Sequence, residues 1–360
     1  MSSSSSLVLT RPTADARRVV AGLPLALRLV LDAQQAGVNQ IVLGAGSEDL
    51  RPLLADARVR TAIDSEPLPG SVVFSVPANF VLPRSLFKAL LERGSSCDLS
   101  SERVAFEAPF SFQPIEVSDA ASASLAEHRL FRALRKPQDG WTSRYLNRYI
   151  SLALSRWLVK TPLTPNQVSV GILGVGLCGA YEASVGGYWP TLFGALLFQA
   201  QSVLDGCDGE MSRVSYRGSH AGEWLDTVGD DLTNYGFFCG AALGLYKTSH
   251  NPLYLAAGAV TVLSGLIGSG LEYRYLIRIG SGDLLKYPLS QGQGTGRFAF
   301  IQPLFKRDTF VFMTLCAAAL SLEGPMLCVF AAGALGVLIG VLKTELRLAR
   351  EAPRSNEVER

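Results

Sequence analysis

The sequence has little charge and lacks the patterns that mark nucleic-acid-binding or disulfide-rich proteins. Charged residues make up 18% of the 360 residues, and the net charge is +2. No Lys/Arg block of the kind that follows a phosphate backbone is present, so nucleic acid is excluded as a partner. The six cysteines have no CxxC spacing, and five of them lie in apolar runs. We therefore expect neither a zinc site nor a disulfide framework.

The N-terminus also lacks the basic start and the long apolar core of a signal peptide. A serine run at residues 2–6 is followed by Leu-Val-Leu and then Arg11. We expect the first part of the chain to stay in the cytoplasm.

Charge is unevenly distributed, and its distribution divides the chain. Up to about residue 160 charged residues are mixed throughout, whereas later long apolar runs are interrupted by one tight charged cluster. We predict a cytoplasmic domain at 1–125, a linker and juxtamembrane helix at 126–160, a membrane domain at 161–350 and a polar tail at 351–360.

The first domain alternates strand-like and helix-like runs. Residues 41–43 and 72–76 have the Val, Ile and Phe content of buried strands, and residues 23–37 form an amphipathic helical pattern closed by a glycine. Alternating strands and helices predict a parallel α/β sheet. The small, serine-rich residues 120–126 predict a linker after it.

Two basic segments follow the predicted linker. Arg129, Arg132, Arg135 and Lys136 would suit an anionic membrane surface, and a solvated basic helix face explains them equally well. Residues 141–160 have the pattern of a helix in the membrane interface, which a soluble amphipathic helix shares. The apolar run after residue 164 is long enough to enter a bilayer and favours the interfacial interpretation.

Six later segments are near the ~20 residues that a membrane span needs. They lie at 165–185, 188–212, 221–246, 252–278, 308–322 and 325–346. Basic residues before the first span and after the last one place both termini in the cytoplasm. Recurrent glycines, such as Gly176, Gly179, Gly240 and Gly244, predict close helix contacts.

Four aspartates stand at the end of the second span and the start of the third. Asp205 and Asp208 are spaced i, i+3, and Asp226 and Asp230 are spaced i, i+4, so each pair lies on one face of its helix. A short turn near residues 216–219 would bring the pairs together. Clustered carboxylates need cations between them, and oxygen ligands suit Mg²⁺, Mn²⁺ or Ca²⁺.

At these residues the sequence resembles the CDP-alcohol phosphotransferase family, whose signature is D-x2-D-G-x2-A-R-x8-G-x3-D-x3-D. Every spacing of the signature is kept, and the one departure is a serine in place of alanine, which could adjust the nucleotide pocket. The matching residues are Asp205, Asp208, Gly209, Ser212, Arg213, Gly222, Asp226 and Asp230.

The resemblance implies that an alcohol attacks the β-phosphorus of a CDP-linked donor and releases CMP, with two divalent cations, Mg²⁺ or Mn²⁺, as cofactors. It implies that Asp205, Asp208 and Asp226 bind metal and that Asp230 is both a ligand and the general base. The glycines Gly209 and Gly222 would let the nucleotide approach, and a homodimer in the bilayer is expected by analogy.

Other polar residues keep two interpretations each. Arg213 would pair with a phosphate, or form an internal salt bridge to an aspartate. Asn166 would reach the nucleotide, or simply belong to a helix start at Thr164-Pro165-Asn166. Asp231 points about 100° away from Asp230 and is expected outside the ligand set. Basic residues in or flanking the loop between the fourth and fifth spans would bind an anionic acceptor or anchor the interface: Arg274, Arg278, Lys286, Arg297, Lys306 and Arg307.

The two-domain order resembles bifunctional enzymes that join an inositol-1-phosphate cytidylyltransferase to a di-myo-inositol phosphate phosphate synthase. Such nucleotidyltransferases need a glycine-rich, arginine-containing loop after the first strand, and here that segment is TRPTADARRVVAG. Asn79 stands where a metal-binding acid is expected. We therefore predict a nucleotidyltransferase-like first domain without catalytic activity.

Two other functions are compatible with membrane aspartates. An ion-coupled transporter would use such acids, but transporters usually disperse them over several helices. An inactive scaffold is disfavoured by the intact motif. Of the possible donors, CDP-diacylglycerol is slightly favoured over a soluble CDP-inositol type.

Overall fold

The computed structural model describes residues 4–99, 114–135, 140–291 and 306–351. The chain divides into two compact units that alternate along the sequence. The first contains Met1–Arg135, Arg156–Pro162 and Glu210–Tyr216. The second contains Lys136–Ser155, Leu163–Gly209 and Arg217–Arg360.

The first unit contains a parallel sheet with helices and two short antiparallel strand pairs. Its strands are β1 (Ser5–Thr10), β2 (Val19–Val20), β3 (Leu23–Pro24), β4 (Gln40–Leu43), β5 (Ala62–Asp64), β6 (Val72–Pro77), β7 (Phe80–Val81), β8 (Cys97–Asp98) and β9 (Ile115–Glu116). Its helices are α1 (Leu25–Ala36), α2 (Arg51–Leu54), α3 (Arg84–Arg93) and α4 (Ala120–Arg132).

The main sheet has the strand order β5-β4-β1-β6-β8, and its paired strands are parallel. Leu7 of β1 lies between Ile41 of β4 and Phe74 of β6, and all three side chains are fully buried. The parallel α/β sheet expected from the strand-like runs is confirmed. Helix α1 ends at Gly37, whose φ of 105° is one that residues with a Cβ rarely adopt.

The linker predicted at residues 120–126 is wrong, because these residues form the first half of α4. The Asp119 side chain accepts a hydrogen bond from the Ser122 N–H, and the Ser122 hydroxyl accepts one from the Asp119 N–H. This capping box satisfies backbone donors at the helix start. Alanine then supports the helix through its high propensity, so small residues here do not mean irregular structure.

Residues 215 and 216 are held within the first unit by Arg58, which lies in a turn, and by Asp32 of α1. Arg58, paired with Asp56, donates to the Ser215 carbonyl oxygen at 2.7 Å. The Tyr216 hydroxyl donates to the buried Asp32 carboxylate at 2.5 Å. Burial raises the pKa of Asp32, and the nearby Arg28 guanidinium opposes that rise.

The second unit is helical. A π-helical turn at Ser143–Asn147 leads into α5 (Arg148–Leu158). The later helices are α6 (Pro165–Val185), α7 (Tyr188–Ser215), α8 (His220–Ser249), α9 (Pro252–Ile279), α10 (Pro288–Gln291), α11 (Arg307–Ala319) and α12 (Glu323–Glu351). The last turns of α5 and α7 fall in segments that belong to the first unit.

Six of these helices, α6 to α9 with α11 and α12, coincide closely with the six predicted spans. Among the described residues, three helices are long and apolar enough to cross a membrane: Pro165–Val185, Pro252–Ile279 and Glu323–Arg350. Helix α11 has 13 residues, about 20 Å at 1.5 Å per residue, against a hydrocarbon core of about 30 Å. The finer count of six transmembrane helices stays a prediction.

Glycines allow α6 and α8 to pack backbone against backbone. A Cβ at Gly240 would overlap the Ala180 carbonyl oxygen, and one at Gly244 would overlap that of Ala183. On α6, by contrast, a Cβ at Gly171 would meet nothing within 4 Å. The close contacts expected from the small residues are present where α8 crosses α6.

Candidate metal centre in the helical unit

Three of the four motif aspartates converge between α7 and α8. Carboxylate oxygens of Asp205, Asp226 and Asp230 all lie within 4.8 Å of one another. Asp226 is exposed, and the other two are partly buried, so the cluster is open on one side. Such a cluster can bind a hard divalent cation, which removes the repulsion among the carboxylates.

Asp208 lies on α7 but is not a member of this group of three. It is 7% exposed, and it accepts hydrogen bonds from the Ser169 hydroxyl of α6 and from the Gly209 N–H. These hydrogen bonds fix the orientation of the buried carboxylate.

Arg307, at the start of α11, reaches into the aspartate cluster. Its Nη1 lies 3.2 Å from Asp205 Oδ2 and 2.8 Å from Asp230 Oδ2. Its Nη2 donates to Gln201 Oε1 at 2.7 Å, and its Nε donates to Asn234 Oδ1 at 3.2 Å. From its sequence position, Arg307 was expected only to bind an anionic acceptor or to anchor the membrane interface. Its one sequence signal is a cation at the start of an apolar helix.

Asn166 and Gly222 of the predicted nucleotide pocket lie against each other. A Cβ built on Gly222 would stand 2.8 Å from Asn166 Oδ1, so a larger residue here would require the Asn166 side chain to move. Thr164 and Gln167 form a capping box that begins α6 and fixes the Asn166 backbone. Ser219 caps α8 by accepting a hydrogen bond from the Gly222 N–H. The two helix starts therefore place Asn166 beside Gly222.

Ser212 and Arg213 lie on the last turns of α7, in the segment that belongs to the first unit. Ser212 is partly buried and Arg213 is exposed. Their predicted roles at the donor stay proposals.

Asp231 lies outside the carboxylate group, as its position on the helix predicts. Its Oδ2 accepts a hydrogen bond from the Tyr273 hydroxyl at 2.6 Å. Among the predicted anion-binding residues, Arg274 pairs with Glu345 at 2.5 Å, and Lys286 donates to the Ser281 hydroxyl at 2.8 Å. Arg297 and the GQGTG segment lie outside the described residues.

In the first unit, Asn79 makes internal hydrogen bonds. Its side chain is fully buried, its Oδ1 accepts from the Thr13 N–H at 3.2 Å, and its Nδ2 donates to the Thr13 hydroxyl at 2.9 Å. The Asn79 amide therefore holds the segment that follows β1. Asn79 itself occupies the position at which the resemblance to nucleotidyltransferases leads us to expect a metal-binding acid.

No protein-family model matches the chain. The chain is similar to proteins named bifunctional IPC transferase and DIPP synthase. That of Thermococcus kodakarensis is 30% identical over 205 residues, which are 54% of this chain and 46% of the relative. That of Aquifex aeolicus is 39% identical over 113 residues, 31% of this chain and 25% of the relative. The matches thus span less than half of these relatives' length.

The chain also aligns with the crystal structure of Mycobacterium tuberculosis phosphatidylinositol phosphate synthase (PgsA1) with CDP-DAG bound. The TM-score is 0.43 with 19% identity, over 54% of this chain and 93% of that one. These values are too low to carry an argument about the site.

The aspartate motif lies on two packed helices, brings three of its carboxylates together and keeps the spacing of the CDP-alcohol phosphotransferase signature. The similarity to the bifunctional IPC transferase and DIPP synthase proteins confirms this resemblance. In this motif the chain is similar to the CDP-alcohol phosphotransferase family. The comparisons give no support to an ion-coupled transporter.

Proposed function

We propose that the chain is a membrane enzyme that transfers a substituted phosphate group from a CDP-linked donor to an alcohol and releases CMP. The observation that carries this proposal is the convergence of Asp205, Asp226 and Asp230 within a motif that keeps every spacing of the family signature. The donor would be of the CDP-diacylglycerol or CDP-inositol type. The product would be a phospholipid or an inositol phosphodiester.

The carboxylates fit divalent cations, because the converging donors are all oxygens and the cluster is partly open. Asp205, Asp208, Asp226 and Asp230 would hold two such ions, Mg²⁺ or Mn²⁺. Bound there, the cations would polarise the donor diphosphate and offset charge on the leaving CMP oxygen. Asp208 would contribute a carboxylate whose orientation is fixed by Ser169.

The remaining motif residues would position the donor and the acceptor. Asp230 would take the proton of the attacking hydroxyl, and Arg213 would pair with a donor phosphate. Gly209, Gly222, Ser212 and Asn166 would line the nucleotide pocket.

We propose that the site faces the cytoplasm, with both termini on the same side. This orientation rests on the basic residues that flank the helices, Arg144, Arg148, Arg156 and Lys160 before α6 and Lys343, Arg347 and Arg350 at the end of α12. A homodimer in the bilayer is part of the same proposal.

The proposal predicts metal-dependent CMP release. Purified protein in detergent or liposomes, given CDP-diacylglycerol or CDP-inositol with a panel of alcohols, should release CMP with Mg²⁺ or Mn²⁺. Activity should fall to background with excess chelator and return when metal is restored. The panel comprises inositol, inositol phosphate, glycerol phosphate and other polyols. Turnover that survives thorough chelation would contradict the proposal.

For the first unit we propose a nucleotidyltransferase-like fold that no longer makes the CDP-linked donor. The hydrogen-bonded Asn79 amide supports this, because a neutral amide binds a divalent cation far more weakly than a carboxylate does. The full-length protein with CTP, Mg²⁺ and inositol 1-phosphate should release no pyrophosphate above a no-enzyme control. CTP-dependent formation of CDP-inositol would overturn this part of the proposal.

A further inference from the structure

The guanidinium of Arg307 contacts four polar side chains of the helical unit. Its Nη1 bridges Asp205 and Asp230 at 3.2 and 2.8 Å, and Gln201 and Asn234 accept from its other nitrogens. Its side chain is 20% exposed. Four partners on α7 and α8 therefore select one position for this cation between the two helices.

The backbone that carries Arg307 is anchored as well. The next residue, Asp308, accepts a hydrogen bond from the Ser143 N–H at 2.6 Å. A Cβ at Gly140 would overlap the Asp308 carboxylate, so the segments before α5 and at the start of α11 are in close contact. Arg307 is thus presented to the cluster by a fixed helix start.

Arg307 forms ion pairs with two of the three converging carboxylates. It forms ion pairs with Asp205 and Asp230, which the proposed function assigns to metal. A divalent cation between these two carboxylates would occupy the region where Nη1 lies. Two cations at that distance repel strongly at the dielectric of a half-buried site.

We propose that Arg307 is a displaceable internal counter-ion: it holds Asp205 and Asp230 together without metal and lowers the affinity of the cluster for divalent cations. It is a positioning residue that acts through the two aspartates. With three carboxylates and one guanidinium, the cluster has a net charge that a single divalent cation balances. Binding of a second cation would require the guanidinium to leave the carboxylates.

The inference rests on the proposed function, because it takes the aspartates as metal ligands, but its test needs no substrate. Mn²⁺ binding to the full-length protein would be measured by the EPR signal of free Mn²⁺, and thermal unfolding would be measured with and without Mn²⁺. The variants are Arg307→Gln, Arg307→Lys and the control Arg274→Gln. The control removes a paired arginine whose partner is Glu345 rather than a motif aspartate.

Loss of the Arg307 charge should lower the Mn²⁺ dissociation constant by about tenfold or more, because the like-charge repulsion is removed. Metal-free Arg307→Gln should unfold at a lower temperature than wild type, and Mn²⁺ should raise its melting temperature more than that of wild type. Arg307→Lys, which keeps the charge, should bind Mn²⁺ nearly as wild type does. Arg274→Gln should match wild type in Mn²⁺ affinity.

Equal or weaker Mn²⁺ binding by Arg307→Gln would overturn the counter-ion role and leave the metal site and the proposed function intact. If Arg307→Gln cannot be purified, Arg307→Lys decides through its Mn²⁺ affinity, because it keeps the charge but not the planar guanidinium contacts to Gln201 and Asn234. A dissociation constant about tenfold or more away from the wild-type value would show that the charge at this position does not set the affinity and would overturn the counter-ion role. If no protein bound Mn²⁺, the proposed metal site and the counter-ion role would both be overturned.

Discussion

Replacing Asp230 by asparagine should reduce CMP release by about 10³-fold or more, because one substitution removes a metal ligand and the proposed proton acceptor together. The change keeps the size of the side chain, and Asp230 is only 24% exposed, so the packing between α7 and α8 should persist. Initial rates of CMP release under saturating Mg²⁺ would measure the effect.

The adjacent Asp231 provides a matched control for this substitution. It has the same chemistry and lies on the same helix, but its carboxylate accepts from Tyr273 and is not in the converging group. Asp231→Asn should retain activity within a few fold. If both variants were equally active, or equally inactive while folded, Asp230 would have no special role in the reaction.

The second prediction with a large expected effect is a loss of stability when the contact between α6 and α8 is overpacked. Gly244→Val would drive a branched side chain into the carbonyl oxygen of Ala183, and backbone on both sides cannot yield as a flexible side chain would. We expect a loss of about 3 kcal/mol in the free energy of unfolding, at the upper end for overpacking. The measurement is thermal or denaturant unfolding in detergent, with yield of folded protein as a second readout.

Gly171→Val controls for valine in a helix of the same unit, because a Cβ there meets no atom within 4 Å. It should change stability by about 0.5 kcal/mol or less. Equal stability of the Gly244 and Gly171 variants would show that the two helices can separate without cost, contrary to the packing described above.

Much of the helical unit could be predicted from sequence, for a clear physical reason. Apolar runs of fixed length and glycine spacing are local properties, so the bounds of α6, α8 and α9 lie within a few residues of the predicted spans. The aspartate pairs could be predicted as well, because i, i+3 and i, i+4 spacing fixes the face of a helix.

The hydrogen bonds and ion pairs around the aspartates could not be predicted from sequence, because they join residues that are distant along the chain. Arg307 lies far along the chain from Asp205, and nothing in its neighbours indicates that its guanidinium meets two aspartates. Ser169 likewise gives no local sign of its hydrogen bond to Asp208. The start of the helix Ala120–Arg132 is unexpected for the opposite reason: its small, serine-rich composition indicates a linker, whereas the cap at Asp119 begins a helix there.

Because the two units alternate along the chain, the first unit cannot be exchanged between proteins by a single junction. The first unit is completed by Arg156–Pro162 and by Glu210–Tyr216, so its core includes Tyr216, whose hydroxyl meets Asp32. A chimera joined at residue 125 would leave the buried Asp32 carboxylate without that donor and Arg58 without the Ser215 carbonyl. The second of these segments, Glu210–Tyr216, lies between Asp208 and Asp226 in sequence and contains Ser212 and Arg213 of the motif. Recombination that preserves the first unit must therefore carry part of the aspartate motif with it.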